Sequence, residues 1–192
     1  MQKFNVVVAD PPWNFSDKLT MSTVARGAEA NYSVMNLQDI KALPVYNWTS
    51  ENALLALWVP SSMIQDGLDV MKAWGFNQKQ IYTWVKTTKT GGLGFGMGRH
   101  FRGCTEHALI GVKGKLSPIS KSERNCDLHN STPHSQKPEQ LQNKLEQMYT
   151  GPYLELFARR ARPGWICVGN EIEQTRDSFN TDIRDWNPVF EE

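Results

Sequence analysis

The feature that most constrains the fold is a valine-rich run that stops at an acid and two prolines, FNVVVADPPW. A short, continuous apolar run of this kind is typical of a strand buried on both faces of a parallel sheet. Asp10 ends the run, and Pro11 and Pro12 lack the backbone N–H that a central strand would need. A buried strand that stops at a carboxylate places it at the edge of the sheet where ligands of open α/β folds bind.

Five further apolar runs follow, and helical patterns separate several of them. The runs are ALLALWVP (53–60), QIYTWVKT (80–87), EHALIGVKG (106–114), YLELFAR (153–159) and WICVGNE (165–171). Helical spacing joins Ile64, Leu68 and Met71 before Gly75, and Leu141, Leu145 and Met148 after Pro138, while NLQDIKALP (36–44) reads as a short helix. Strands that alternate with helices predict an α/β fold with a mostly parallel sheet flanked by helices.

Composition and charge narrow the class of protein. With 192 residues, 40% of them hydrophobic and 21% charged, the chain is expected to form a single globular domain over residues 1–192. The three cysteines lack CxxC spacing, so neither a disulfide framework nor a metal site is expected. No signal peptide or membrane-spanning run is recognisable, which predicts a cytoplasmic protein.

Charge is distributed unevenly along the chain. Residues 86–124 carry eight basic and two acidic side chains, whereas residues 171–192 carry seven acidic and two basic ones. The basic segment includes the glycine-rich stretch 88–103, in which Arg99, Phe101 and Arg102 combine cations with an aromatic ring. That combination is typical of contacts to phosphates and bases, although a solvated loop is the alternative. Two other stretches, 16–33 and the segment before Lys137, are also predicted to be irregular loops.

The DPPW sequence has the groups needed to hold a planar amine. Asp10 can accept a hydrogen bond from an exocyclic amino group, and the Pro11 carbonyl can accept a second because Pro11 and Pro12 restrict the backbone. Trp13 offers a ring on which a base can stack. A methyl group held in line would then be transferred largely through positioning. The alternative interpretation is an acid that caps the next helix ahead of a proline turn.

This sequence resembles the MT-A70 family of S-adenosylmethionine-dependent adenine N6-methyltransferases, particularly its small bacterial and phage members. The resemblance extends from about Phe4 to Ile172. It is carried by DPPW followed in order by NYSVM, TWVKT, EHALIGVKG, HSQKPE, LELFARR, RPGW and GNE. It implies a Rossmann-like class I methyltransferase fold in the permuted, beta-type order, in which the catalytic strand precedes the cofactor strand. S-adenosyl-L-methionine is the implied cofactor.

The resemblance also implies roles for individual residues. Lys137 is expected at the carboxylate end of the cofactor and Glu155 near its ribose, while Arg159 is expected to reach the ribose or shape the pocket. Asp10 and Leu156 are also expected to bind the cofactor. Asn170 and Glu171 are expected at the adenine or ribose edge. Trp13, Tyr32, Lys86, Arg99 and Arg102 are the predicted substrate-binding residues. For each, a structural role is the alternative. Relatives carry His-Asn shortly after the residue that matches Arg159; here RARPGW stands in that place, and Arg160 and Arg162 are interpreted as surface charge.

The predicted activity is methylation of adenine N6 in nucleic acid, with DNA favoured over RNA. Three alternatives stay open: an RNA adenine N6-methyltransferase, a DNA cytosine N4-methyltransferase, and a non-catalytic nucleic-acid-binding partner of a heteromeric enzyme. The third is disfavoured because both Asp10 and Lys137 are present. The resemblance further implies pairing with a second subunit, identical or different, in a bacterial cytoplasm or, if the protein is phage-encoded, in the host cytoplasm. The lack of a membrane-spanning run predicts no association with a membrane.

Overall fold

The computed structural model describes residues 2–14, 34–98, 100–132 and 136–190. Over these residues the chain forms one sheet of eight strands in the order β5-β3-β4-β2-β1-β6-β7-β8. The strands are β1 (Phe4–Ala9), β2 (Thr49–Val59), β3 (Asn77–Thr87), β4 (Thr105–Lys113), β5 (Cys126–Asn130), β6 (Tyr153–Leu156), β7 (Trp165–Gly169) and β8 (Ser178–Asn180). Tyr32 and Arg99, both predicted to bind substrate, lie outside the described residues.

The sheet is mostly parallel, as predicted. Five of its neighbouring pairs are parallel, and only β4 runs antiparallel to its neighbours β2 and β3. The first strand lies near the centre of the sheet, directly beside β6, the predicted cofactor strand. The Rossmann-like expectation is therefore confirmed. The carboxyl ends of β1, β2, β3, β6 and β7 and the beginning of β4 consequently share one edge.

Helices cover both faces of the sheet. They are α1 (Leu37–Ala42), α2 (Val45–Trp48), α3 (Ile64–Ala73) and α4 (Gln140–Met148), with a 3-10 turn at Ser61–Met63. The first three pack with Val7 and Leu55 into one core, and α4 packs with Val6, Val8 and Trp58 into the other. Alternate residues of β1 therefore enter opposite cores, which explains why its sequence shows no polar face.

Two strands were not predicted, and both lack an apolar run. Strand β5 lies in the stretch before Lys137 that was predicted to be an irregular loop. Its sequence, CDLHN, is exposed or half-buried throughout because it forms the outer edge of the sheet. Strand β8 has only three residues at the opposite edge. Among the described residues, no helix is long and apolar enough to span a membrane, and no group of His, Cys, Asp and Glu is arranged to hold a metal ion.

Candidate active site and cofactor pockets

The DPPW turn is fixed by hydrogen bonds of its own backbone and of one side chain. Asp10 follows the last residue of β1 and lies at the carboxyl edge of the sheet. The Trp13 N–H donates to the Pro11 carbonyl, and the Met35 N–H donates to the Pro12 carbonyl, both at 2.9 Å. One lone pair of the Pro11 carbonyl is thus engaged within the turn, and the second is left for another donor.

The ring of Trp13 lies in the core rather than on an open face. It is only 4% exposed, and its indole N–H donates to the carbonyl of Trp58 at 2.9 Å. The sequence favoured a ring on which a base stacks. In this structure the ring instead ties the turn to β2. The core covers its large apolar surface, and the Trp58 carbonyl accepts its single N–H donor. A base could stack on Trp13 only if the turn opened.

A row of alternating charges runs along the carboxyl edge. The Lys137 ammonium donates to both oxygens of Asp10, at 3.1 and 2.8 Å, and lies 3.2 Å from a carboxylate oxygen of Glu106. Glu106, the second residue of β4, is also paired with Lys86 near the end of β3. The antiparallel course of β4 brings its beginning to the edge at which β3 ends, so the row Lys86–Glu106–Lys137–Asp10 spans four segments of the chain.

The charges in this row stabilise one another. Burial lowers the pKa of Lys137, but the carboxylates of Asp10 and Glu106 outweigh it and hold that pKa above its ordinary value. Burial raises the pKa of Glu106, but Lys137 and Lys86 together hold it below the usual range. Glu106 and Lys137 therefore both carry their charges at neutral pH. The sequence singled out Lys86, Lys137 and Asp10 separately, whereas Glu106, which joins them, had been assigned no role in the site.

A pocket opens beside this row between β1, β6 and α4, and we call it the Asp10 pocket. Its walls combine charged, amide and aromatic side chains: Val8, Asp10, Trp58, Gln136, Lys137, Gln142, Glu155, Phe157, Arg159 and Arg160. Two buried polar atoms of this wall, the indole N–H of Trp58 and the amide oxygen of Gln142, have no hydrogen-bond partner among the described residues. Buried polar groups are rarely left unpaired, so the wall presents one donor and one acceptor for a polar ligand.

Glu155 lies in this pocket as a weakly acidic carboxyl group. It is opposite Val8 of β1 and Cys167 of β7, and the Gln142 amide donates to it at 3.3 Å. Burial raises its pKa to about 7, against the opposing effects of Gln142 and Arg160. A substantial fraction of Glu155 is consequently protonated near neutral pH, and it can act as a donor or an acceptor.

A second pocket follows at the same edge beyond β6, and we call it the Asn170 pocket. It is lined by Pro12, Met35, Phe157, Ala158, Arg159, Gly169, Asn170, Glu171, Thr181, Asp182, Ile183 and Arg184. Phe157 and Arg159 belong to both walls, so the two pockets are neighbours that meet at the end of β6. Phe157 has a φ of 61°, a left-handed conformation that turns the chain sharply at this junction.

The predicted cofactor residues are divided between the two pockets. Lys137 and Glu155 line the Asp10 pocket, Asn170 and Glu171 line the Asn170 pocket, and Arg159 lines both. The side chain of Leu156 is different: it is fully buried in the core. Only its backbone reaches the site, where its carbonyl accepts the Asp10 N–H at 3.4 Å.

The segment after β8 contributes residues that the sequence did not indicate. Asp182 and Arg184 line the Asn170 pocket and form an ion pair, with Arg184 donating at 2.8 and 2.5 Å. Arg184 and burial have opposite effects on the Asp182 carboxyl, and Arg184 prevails, so the pKa of Asp182 is lowered. No strand or catalytic motif marks these residues, so only the fold reveals their proximity to Asn170.

The glycine-rich loop between β3 and β4 is attached to the charged row at both of its ends. It joins Lys86 to Glu106 and is held at its base because the Lys86 N–H donates to the Cys104 carbonyl at 2.7 Å. Arg102 lies over the ring of Phe95 at 5.3 Å and also donates to the Gly98 carbonyl at 3.2 Å. Phe95 is 80% exposed, and Leu93, Met97 and Phe101 are also exposed. These residues form an aromatic and cationic surface, which we call the glycine-loop surface.

The sequence of this edge matches a known family. The MT-A70 family model matches residues 4–171, which include the DPPW turn, the charged row and both pocket-lining strands β6 and β7. The chain belongs to the MT-A70 family. The chain therefore has the class I methyltransferase fold and is a member of the adenosine N6-methyltransferase family. MT-A70 methyltransferases in general depend on S-adenosylmethionine.

Individual relatives fall into two groups by how much of their length is covered. An N(6)-adenosine-methyltransferase MT-A70-like protein of Drosophila melanogaster is 30% identical over 187 residues, covering 91% of this chain but 28% of the relative. The human N(6)-adenosine-methyltransferase catalytic subunit METTL3 is 29% identical over 184 residues, covering 89% and 28%. The type II methyltransferase M.MunI of a Mycoplasma species is 27% identical over 200 residues, covering 94% and 82%. The chain thus spans about a quarter of the eukaryotic proteins.

The pockets of this MT-A70 member fit the parts of S-adenosylmethionine. The Asp10 pocket offers an ammonium, carboxyl groups and two unpartnered polar atoms, which suit the zwitterionic methionine end. The Asn170 pocket offers amide, carboxylate and guanidinium groups, which suit the hydroxyl and amino groups of an adenosine. Because the pockets meet at Phe157 and Arg159, one extended molecule could occupy both.

Proposed function

We propose that this chain is an S-adenosylmethionine-dependent methyltransferase that transfers a methyl group to the N6 amino group of adenine in DNA. The observation that carries the proposal is the pairing of Asp10 with Lys137 at the carboxyl end of β1, where the DPPW turn meets the Asp10 pocket. Family membership supports the reaction class and the base.

In the proposed reaction, Asp10 holds the amino group of the target adenine. One carboxylate oxygen accepts an N–H of the amine, and the second lone pair of the Pro11 carbonyl can accept the other. When bound, S-adenosylmethionine supplies an electrophilic methyl group. As the amine nitrogen bonds to the methyl carbon, the bond from that carbon to the sulfonium sulfur would break. The N–H groups then become more acidic, the nearby carboxylate stabilises the developing positive charge, and one N–H proton is lost to give a neutral methylated amine.

Lys137 has two roles in this scheme. Its ammonium orients the Asp10 carboxylate through two hydrogen bonds, and it provides the positive charge expected to hold the carboxylate of the methionine end. Glu106 keeps that ammonium charged and in place from the side opposite Asp10. The pair is thus arranged to bind a carboxylate and the N–H groups of a planar amine on adjacent sides.

The glycine-loop surface is the proposed contact for nucleic acid. Arg102 and Lys86 supply cations that can neutralise phosphates, and Phe95 supplies an exposed ring for stacking next to the charged row. If the substrate is duplex DNA, the target adenine must leave the base stack to reach Asp10. The paired Asp10 and Lys137 favour an enzyme over a non-catalytic nucleic-acid-binding partner.

DNA is favoured over RNA because of how the similarity is distributed. The bacterial type II methyltransferase is covered over 82% of its length, whereas the N(6)-adenosine enzymes are covered over about a quarter of theirs. The Asp10 site could hold a base of either polymer. The preference for DNA therefore rests on the fraction of each relative that the chain covers. Pairing with a second subunit, and a single domain over residues 1–192, remain parts of the proposal.

The decisive experiment identifies the methylated nucleoside. The protein is incubated with methyl-labelled S-adenosylmethionine and matched single-stranded DNA, duplex DNA and RNA, and the products are digested to nucleosides. Label in N6-methyldeoxyadenosine is the expected result, and Asp10→Asn should abolish it. Label only in N6-methyladenosine would reassign the polymer, label in N4-methyldeoxycytidine would reassign the base, and no label in any substrate would contradict the proposed activity.

A further inference from the structure

Two arginines that follow β6 hold the segment that carries Lys137. Arg160 donates to the carbonyl oxygen of Lys137 at 3.1 Å, and its Nε pairs with Glu139 at 2.8 Å. The interpretation of Arg160 as mere surface charge was therefore wrong: its guanidinium spans two acceptors in the neighbouring segment. A guanidinium suits this arrangement because its donors are fixed in a planar fork.

Arg162 extends the same connection into α4. It donates to both carboxylate oxygens of Glu146, at 2.9 and 3.0 Å, and to Glu139 at 3.2 Å. Its side chain is only 12% exposed, and the indole of Trp165 donates to Glu146 at 2.5 Å. Arg162 is thus also more than surface charge. Glu139 is shared by the two arginines, so the turn after β6 is clamped to the beginning and the middle of α4.

Lys137 depends on such external support because of where it lies in the chain. Residues 136–138 belong to no helix or strand, and α4 begins only at Gln140. The lysine side chain is long and has many rotamers, which would allow its ammonium many positions. A fixed backbone reduces the number of positions that the ammonium can reach. In the structure that ammonium contacts Asp10 and Glu106 simultaneously. A shift of the backbone would break at least one of these contacts.

We propose that Arg160 is a positioning residue that acts through Lys137. By holding the Lys137 carbonyl, it sets the place of the ammonium between Asp10 and Glu106, from which the ammonium can also bind the carboxylate of S-adenosylmethionine. This inference rests on the proposed function. Arg160 also lines the Asp10 pocket, so the test has to separate positioning of Lys137 from direct contact with the cofactor. If Arg160 acts through Lys137, its substitution has no further effect once the ammonium has been removed.

A double-mutant cycle on cofactor affinity tests the inference. Calorimetric titration with S-adenosylmethionine is performed on wild type, Arg160→Gln, Lys137→Met and the double variant. Arg160→Gln should weaken binding about tenfold, the effect of losing one hydrogen bond of ordinary strength. Lys137→Met should weaken binding at least as much, and the double variant should match Lys137→Met within about twofold, because the two residues act in series.

The controls separate positioning from a general loss of structure. Arg176→Gln changes an exposed arginine outside both pocket walls and should leave the affinity unchanged. Thermal unfolding of each variant identifies any that does not fold. If Arg160→Gln does not fold, Arg160→Lys takes its place in the cycle, since it keeps a cation for Glu139 but not a fork that serves both acceptors.

The outcomes separate this inference from the proposed function. Wild-type affinity in a folded Arg160 variant would overturn the inference, and so would losses that add in the double variant, which would indicate that Arg160 contacts the cofactor itself. In both cases wild type binds S-adenosylmethionine and the proposed function stands. A wild-type chain that binds no S-adenosylmethionine would overturn both.

Discussion

The ammonium of Lys137 bridges the carboxylates of Asp10 and Glu106, which come from neighbouring regions of the sheet edge but from distant parts of the chain. Asp10 follows β1 and Glu106 begins β4, and strand β2 lies between β1 and β4 in the sheet. One cation thus attracts two carboxylates that would otherwise repel each other. The charge of Lys137 and its place between the two carboxylates therefore both affect the orientation of Asp10, the residue proposed to hold the target amine.

Asp10→Asn should nearly abolish methyl transfer while leaving cofactor binding largely intact. The substitution keeps the size of the side chain but removes the charge that stabilises the methylated amine. We expect the rate to fall by about 10²-fold or more, the typical cost of removing one electrostatic stabiliser of a transition state. Lys137 retains Glu106 as a partner, so affinity for S-adenosylmethionine should change much less.

The measurement is single-turnover transfer of labelled methyl groups, with calorimetry for cofactor affinity. Asp177→Asn is the matched control, since Asp177 is exposed and lies outside both pockets. A rate for Asp10→Asn within twofold of wild type would remove Asp10 from the chemical step.

Glu106→Gln should destabilise the protein at neutral pH by about 1–2 kcal/mol, because two half-buried ammonium groups lose their shared partner. The effect should depend on pH. Lys137 and Lys86 hold the pKa of Glu106 below its ordinary value of 4.5, so the charged carboxylate stabilises the fold above pH 4.5. That stabilisation should be lost as the pH falls below 4.5.

Urea unfolding of wild type and Glu106→Gln from pH 7 to pH 3.5 measures this difference. The two unfolding free energies should converge at the acidic end. A difference that stays constant across this range would show that the destabilisation comes from packing rather than from charge.

The sequence was sufficient to locate Asp10 because local patterns determine its position. A continuous apolar run predicts a central strand, and the residue that ends such a strand lies at the ligand edge. The same reasoning located β6 and β7, although β6 ends at Leu156, three residues before the end of the predicted run. Strand β5 was missed because CDLHN contains no apolar run, and its place is determined by pairing with β3 rather than by its own composition.

Contacts between distant residues could not be predicted in this way. Lys137 and Asp10 are 127 positions apart, and the role of Glu106 becomes visible only when β4 is seen to run antiparallel. The burial of Trp13 is a similar case, since its indole N–H finds a carbonyl 45 positions away. Residue type alone indicated a ring able to stack on a base, but tertiary packing determines which ring faces solvent.

Glu155→Gln should make the protein more stable at alkaline pH and less sensitive to pH. Burial raises the pKa of Glu155 to about 7, above its ordinary value of 4.5. Folding therefore favours the protonated carboxyl. The stability that comes from the protonated Glu155 carboxyl is fully present below pH 4.5 and is lost as the pH rises through 7. At pH 8 the variant should be more stable than wild type by on the order of 2–3 kcal/mol.

Chemical unfolding at pH 4.5 and pH 8 tests this expectation, with Glu173→Gln as a control because Glu173 is exposed and outside both pockets. The advantage of Glu155→Gln should be small at pH 4.5 and large at pH 8. A variant that is less stable than wild type at pH 8 would mean that the charged carboxylate is compensated by its neighbours.

Removing the aromatic and cationic pair of the glycine-loop surface should weaken nucleic-acid binding without affecting the cofactor. Phe95 and Arg102 lie 5.3 Å apart, from ring centroid to guanidinium carbon, and Phe95 is exposed. Stacking of one base contributes roughly 1–3 kcal/mol, so Phe95→Ala combined with Arg102→Ala should reduce affinity for DNA at least about tenfold. Fluorescence anisotropy with a labelled oligonucleotide measures this loss. Loss of one phosphate contact should also lower the slope of log affinity against log salt by about one.

Ile119→Ala, which alters an exposed apolar residue outside this surface, should leave both the affinity and the salt dependence unchanged. If the double variant binds DNA as wild type does, nucleic acid must reach Asp10 by a route that avoids this loop, and its exposed aromatic residues would then be better explained as a contact for a second subunit.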